Sequence, residues 1–181
     1  MSEKTKLKKG LFNCGRVIKG VTMLTNTIAS VIIAQALASY PHSPTEPLDE
    51  VLCLAEMVYH EARGEPLEGQ YAVALVARNR VESDRFPNTY CDVLSQPYQY
   101  SYRNNGQPNT TLANMSVPDA KALWWSVRVA LDVQNGYIAD YTNGAKWYVN
   151  ESKLEYRPKW LQRMDIVAMI GEHSFMKLRE E

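Results

Sequence analysis

The 181-residue sequence predicts a mainly helical α+β domain with one small extended element, set behind an N-terminal membrane segment. Three observations carry that prediction. Apolar residues recur at helical spacing over about 48–63, 67–81 and 116–135. Short apolar runs of strand length, 145–149 and 164–170, occur only toward the C-terminus. A basic stub precedes a long run without charge.

The stub comes first in the chain. Residues 1–20 carry Lys4, Lys6, Lys8, Lys9, Arg16 and Lys19 against Glu3 alone, a net +5 hidden by the overall charge of zero. From Gly20 to Thr45 no charged residue occurs. Lysine and arginine are retained on the cytoplasmic side, so 1–19 reads as a cytoplasmic stub and 20–40 as a transmembrane signal-anchor or signal peptide. About twenty residues suffice to cross a bilayer as a helix. The span is diluted by Thr22, Thr25, Asn26, Thr27, Ser30, Gln35 and Ser39, so three fates stay open. It is cleaved at the small-x-small site Ala36-Leu37-Ala38, retained as an anchor, or held weakly and released. A buried core helix is the fourth reading, disfavoured by the basic flank and by the prolines that follow. Export to the periplasm or cell wall is common to the first three.

Pro41, Pro44 and Pro47 mark 41–47 as a linker, and 48–181 as the globular domain. Its first helix runs from Leu48 to about Arg63, with Pro47 suiting the first turn and Gly64 the stop. The second, Leu67 to Val81, is apolar on nearly all faces and is expected to be the buried central helix. Cys91–Leu94 reads as a short helix or turn before a loop, Gln96 to Asn114. The third long helix has Ser116 as a candidate N-cap, Pro118 in its first turn and Asp119 as the returning carboxylate; Asn135-Gly136 ends it. Among three cysteines, Cys14 falls on the cytoplasmic side, whereas a Cys53–Cys91 bridge and free buried thiols are both open.

The densest polar cluster is Tyr59-His60-Glu61-Ala62-Arg63-Gly64-Glu65-Pro66, where the first helix gives way to the second. At 100° per residue from Val51, the apolar arc spans about 300° to 40° and Glu61 falls on its rim near 280°. Glu56 and His60 fall on the outer side, near 140° and 180°. Burial and the negative end of the helix both disfavour a carboxylate at Glu61, raising its pKa as a general acid requires. An ion pair of Glu61 with Arg63 or Arg78 is the competing, purely structural reading.

Several colinear blocks then carry a resemblance. Glu61-Ala62-Arg63-Gly64-Glu65-Pro66 with Glu68-Gly69-Gln70, Asn79-Arg80-Val81, Phe86-Pro87-Asn88-Thr89, Gln96-Pro97-Tyr98-Gln99-Tyr100-Ser101, Trp147-Tyr148-Val149-Asn150 and Gly171-Glu172-His173-Ser174-Phe175 together resemble the SleB-like cell-wall hydrolases, the family of the spore-cortex-lytic enzymes. The resemblance implies a lysozyme/lytic-transglycosylase-like helical domain that cleaves peptidoglycan between N-acetylmuramic acid and N-acetylglucosamine. It implies Glu61 as the catalytic acid and base, with Glu65 and Asp92 as candidates for a second carboxylate. Tyr98, Tyr100, Ser101, Tyr148, Asn150 and His173 are the expected substrate contacts; Tyr102 is a further candidate. The bare domain behind a weak anchor resembles phage endolysins of the signal-anchor-release type, used for host lysis. A bacterial wall-remodelling or spore-cortex hydrolase is the alternative origin.

The expected partners are peptidoglycan glycan strands and the inner membrane, with no nucleic acid, no cofactor and no metal, in a monomer. A zinc amidase would need convergent ligands, and His42, His60 and His173 are dispersed. A cysteine peptidase built on Cys53 or Cys91 with His173, and a non-catalytic wall-binding membrane module, complete the rivals.

Overall fold

The computed structural model describes residues 28–100, 102 and 119–179. The stub, the start of the uncharged run, Cys14, Ser101, Ser116 and Pro118 lie outside the described residues. Among the described residues, the helices that precede a small sheet are α1 (Ile28–Ala38), α2 (Leu48–Ala62), α3 (Leu67–Val81), α4 (Tyr90–Leu94) and α5 (Ala120–Gln134). The strands are β1 (Trp147–Val149), β2 (Met164–Ile170) and β3 (His173–Leu178), antiparallel in the order β1-β3-β2.

Helix α3 is the centre of the molecule. Its residues 72–77 are all buried, as expected of a segment apolar on every face. Helices α2 and α5 pack on it and on each other, and their buried residues form one continuous core with those of α3. Helix α5 begins later than the sequence suggests. Its N-cap is Asp119 itself, whose carboxylate accepts the Ala122 N–H at 3.0 Å. A carboxylate facing its own third residue satisfies an orphan N–H directly, without the reciprocal residue of a capping box.

The uncharged run meets a different environment from the expected one. Helix α1 lies across α5 and buries Ala29, Ile32, Ile33 and Ala36 in the core shared by the other helices. Polar contacts close the same seam. Tyr40 Oη donates to Asp132 Oδ1 at 2.9 Å, and Arg128 donates to the Ser39 carbonyl at 3.2 Å while covering the Tyr40 ring. No helix among the described residues is long and apolar enough to cross a membrane. The prolines of 41–47 therefore link two helices of one core, and α1 takes the buried-helix reading that the basic flank argued against.

Two covalent and polar ties fix the outer elements. A Cys53–Cys91 disulfide joins α2 to α4. Beside it, the Glu50 carboxylate accepts the Tyr90 and Cys91 N–H groups at 2.6 and 3.3 Å, capping α4 from a neighbouring helix. The turn into β1 is organised by Asp140, which accepts from Thr142 N and Oγ1, Gly144 N and Asn79 Nδ2. In the β2–β3 hairpin the register shifts between Ile166 and Ala168, and the carbonyl of the intervening Val167 accepts from Asn143 Nδ2 at 2.9 Å. Gly171 turns that hairpin with φ at +57°, a left-handed conformation that suits glycine.

Candidate active site

Glu61 stands in the last turn of α2, one residue before its end. The chain breaks there because Gly64 and Pro66 follow, and Pro66, the N-cap of α3 with an extended ψ of 155°, cannot continue α2. The tip of the β2–β3 hairpin comes over this break. Together they enclose an open cleft of about 720 Å³ whose lining includes Glu61, Arg63, Glu65, Lys153 and Glu172.

The Glu61 carboxyl is half-buried in that cleft. Burial pushes its pKa above the ordinary carboxylate value; a hydrogen bond from Tyr148 and the charge of Arg80 oppose the shift without cancelling it. Tyr148 Oη donates to Glu61 Oε2 at 3.3 Å. Burial also raises the Tyr148 pKa well above its usual value, so this phenol keeps its proton and remains a donor. Arg80 is almost fully buried, held by the Lys146 carbonyl at 2.7 Å and by Tyr100 Oη at 3.2 Å. It acts on Glu61 as a fixed positive charge.

Glu65 lines the same cleft, but its carboxylate is engaged at the hairpin tip. Its Oε2 accepts the Glu172 N–H at 3.2 Å, and its Oε1 lies 3.6 Å from His173 Nδ1, with both side chains 8% exposed. Burial lowers the His173 pKa more than Glu65 raises it, so the imidazole is neutral near neutral pH. The contact is a buried polar one and not an ion pair. His173 also stands edge-on to Tyr148, with ring centroids 5.4 Å apart. A run of contacts therefore leads from Glu65 through His173 and Tyr148 to Glu61.

The other expected site residues fall in different places. Tyr100 is 2% exposed and is a core residue bonded to Arg80, so it offers no face to a sugar. Asn150 is buried too; it donates to Glu172 Oε2 at 2.8 Å and caps the short 3-10 turn Glu151–Lys153. Tyr98 is open to solvent, and Asp92 is an exposed residue of the disulfide-tied α4 that does not line the Glu61 cleft. Neither Arg63 nor Arg78 takes the Glu61 carboxyl: Arg63 donates to the Tyr59 carbonyl, and Arg78 to that of Ile138 and toward Glu82. Glu56, expected on an outer face, is 5% exposed, because Tyr102 covers that side and stacks on His60 with centroids 4.1 Å apart.

Three residues of the site were not singled out from the sequence. Lys153 and Glu172 line the cleft as a 3.6 Å pair. Arg80 was visible only as part of the Asn79-Arg80-Val81 block. An arginine inside an otherwise apolar helix was the available signal, since a buried cation needs a reason to be there. Among the described residues no group of three or more His, Cys, Asp or Glu side chains converges as a metal site. Cys53 and Cys91 are bonded to each other, so neither supplies the free thiol of a cysteine peptidase.

Comparison with known proteins agrees with this architecture. The family described as Cell Wall Hydrolase matches residues 64–176, beginning three residues beyond Glu61. The chain is 34% identical over 133 residues to a spore cortex-lytic enzyme of Bacillus cereus, covering 71% of this chain and 44% of that protein. The corresponding enzyme of Bacillus subtilis is 32% identical over 131 residues, covering 70% and 37%. The chain thus spans less than half the length of these relatives. Among solved structures, the catalytic domain of the germination-specific lytic transglycosylase SleB from Bacillus anthracis superposes with a TM-score of 0.59 at 33% identity, over 74% of this chain and 98% of that one. The catalytic domain of the Bacillus cereus SleB protein gives 0.58 at 32% identity, over 74% and 94%.

Proposed function

This chain belongs to the cell wall hydrolase family, and from that premise we propose that it is a lytic transglycosylase cutting peptidoglycan between N-acetylmuramic acid and N-acetylglucosamine, with Glu61 as acid and then base. The observation that carries the reading is the pairing at the helix break. One carboxyl, Glu61, faces an open cleft with a raised pKa, while its neighbour Glu65 is held inward by Glu172 N–H and His173.

Glu61 in its protonated form gives a proton to the glycosidic oxygen as the C1–O bond breaks and positive charge develops at C1. A retaining enzyme then needs a carboxylate nucleophile about 5 Å away, and an inverting one needs a second carboxylate to activate water. Glu65 lines the cleft, but its carboxylate is engaged by the Glu172 N–H and His173, and Glu172 is exposed and paired with Lys153. The carboxylate left at Glu61 then takes the proton of the muramyl 6-hydroxyl as that oxygen closes on C1. The product is a 1,6-anhydro end, and Glu61 regains its proton. The Tyr148 hydroxyl steadies the carboxylate between the two steps. Mass spectrometry of digested wall tests this. Anhydro-muramic ends are expected, Glu61→Gln is expected to lose about a thousandfold in rate, and hydrated reducing ends alone would overturn the transglycosylase route.

A second reading concerns place. The Cys53–Cys91 bond suits an oxidising compartment outside the cytoplasmic membrane. The uncharged run that could enter a bilayer also supplies α1 to the core. A segment that lies first in the membrane and then in the domain would complete the enzyme on leaving the lipid, the behaviour of an endolysin timed for host lysis. Cell fractionation with sequencing of the mature N-terminus separates this reading from that of a housekeeping or spore-cortex hydrolase. Full-length chain moving from membrane to soluble fraction supports release; a chain found soluble at all times refutes it.

A further inference from the structure

Beside Arg63 lies a second lobe of about 410 Å³ on the α3–α5 side, where Leu67, Gln70, Asp119, Lys121 and Trp125 line the walls. Arg63 lines both, so the two hollows are neighbours on one surface. Its chemistry differs from that of the Glu61 lobe. Gln70 is 8% exposed, and its amide is fixed because Nε2 donates to the Glu65 carbonyl at 3.0 Å. The remaining polar atom, Oε1, is buried with no hydrogen-bond partner. Such an acceptor calls for an N–H donor.

The charges point the same way. Arg63 and Lys121 are both exposed, and among the described residues neither pairs with a carboxylate. Asp119 is the opposing charge, and one of its oxygens is engaged in capping α5 through Ala122 N. The lobe thus has two cations against one partly occupied anion, beside a half-buried indole. A glycan without peptides offers these cations one carboxylate per muramyl residue, on the short lactyl group held against the sugar ring. The peptide carried on the lactyl group of muramic acid has carboxylates, amide N–H groups and methyl side chains.

We propose that this lobe binds the anionic peptide substituent of the muramyl residue, with Arg63 and Lys121 facing its carboxylates, Gln70 Oε1 accepting an amide N–H, and Trp125 and Leu67 covering its aliphatic part. The inference rests on the reading of the Glu61 cleft as a glycan site. It makes Lys121 a specificity residue that acts on substrate choice and not on bond cleavage.

The test uses the full chain and two preparations of one glycan: strands with their peptides, and strands stripped of them by an amidase. For wild type, kcat/KM is expected to be higher on the peptide-bearing strands. Lys121→Glu is expected to lower that value about fivefold, the scale of an exposed ion pair, and to affect the stripped strands less, since their lactyl carboxylates lie close to the sugar ring. An equal loss on both substrates, or no loss on either, overturns the proposal. A direct titration keeps the two readings apart. Full-length Glu61→Gln is titrated with peptide-bearing and peptide-free disaccharide, with and without Lys121→Glu. Tighter binding of the peptide-bearing form that disappears with Lys121→Glu supports the lobe even where neither strand is cleaved, an outcome that would sink the transglycosylase reading instead. Equal affinities refute the lobe and leave the assignment of Glu61 standing.

Discussion

Gly171→Ala is the substitution whose cost can be worked most directly from the structure. Gly171 holds φ at +57°, and a Cβ built there would run into Glu65 Oε2. The left-handed backbone costs an alanine about 1 kcal/mol. The steric part cannot be relieved by a small shift, because the Glu65 side chain is 8% exposed and its Oε2 already accepts the Glu172 N–H. Moving it breaks the hydrogen bond from the Glu172 N–H to a charged acceptor, about 2 kcal/mol. The sum, about 3 kcal/mol, is to be read from urea unfolding midpoints of the full chain. The same substitution in a Glu65→Ala background meets no carboxylate and is expected to cost only the backbone part, about 1 kcal/mol. The coupling energy of the double-mutant cycle is then about 2 kcal/mol. Equal costs in the two backgrounds would show that Glu65 is not what the hairpin tip rests on. The contacts leading from Glu65 through His173 and Tyr148 to Glu61 would then have no structural anchor.

The remaining predictions concern pH, redox state and the turn before β1. Tyr148→Phe removes a hydrogen bond that lowers the Glu61 pKa, so the alkaline limb of the rate profile on purified wall is expected to move to higher pH; a downward move would contradict the assignment. Reduction of Cys53–Cys91, which closes a 38-residue separation, is expected to lower stability by about 4 kcal/mol. Thermal unfolding with and without a reductant reads this, and a disulfide-free Cys53→Ala chain should be insensitive to the reductant. Burial alone would raise the Asp140 pKa, but hydrogen bonds from Thr142, Gly144 and Asn79 outweigh it and bring it below the ordinary value. A carboxylate depressed in the folded state contributes stability above its unfolded pKa and loses that contribution as pH falls through the folded value. Asp140→Asn should therefore flatten the acid side of the stability curve, and an unchanged acid slope would count against the loop's role.

Much of the helical frame was legible because the period of the apolar residues is a property of the sequence alone. The limits of α2 and α3 follow Pro47, Gly64 and Pro66, and the all-round apolar pattern of α3 correctly put it at the centre. The sheet was harder to read. The shift at Val167 breaks the alternation of β2, and strand pairing depends on residues distant in the chain. The site divided along the same line. Local geometry put Glu61 on the rim of an apolar arc at a helix end, where the structure has it half-buried in a cleft, but left an ion pair equally open; the family resemblance singled it out. Tyr100 could not be told from a sugar platform, because an aromatic in a loop has the same sequence whether it plugs the core or faces a cleft. Glu56 was misplaced for a related reason: a helical wheel assumes that the side opposite the core meets water, and here Tyr102 meets it.

Helix α1 poses the same ambiguity between two solvents. Its eleven described residues carry no charge, which suits a bilayer and a protein core equally. In the domain, Ile32 and Ile33 are 8% and 2% exposed, and burying each contributes about 2 kcal/mol. With Tyr40 on Asp132 and Arg128 on Ser39, that is a sizeable share of the 5–15 kcal/mol by which a domain of ordinary size is stable. Cleavage at Ala36-Leu37-Ala38 would remove nearly all of α1 and expose to water the flank of α5 that it covers. A processed chain would thus be less stable than its precursor, the reverse of what an exported hydrolase requires. The packing of α1 therefore favours a segment that is kept, whether in the membrane beforehand or in the core throughout.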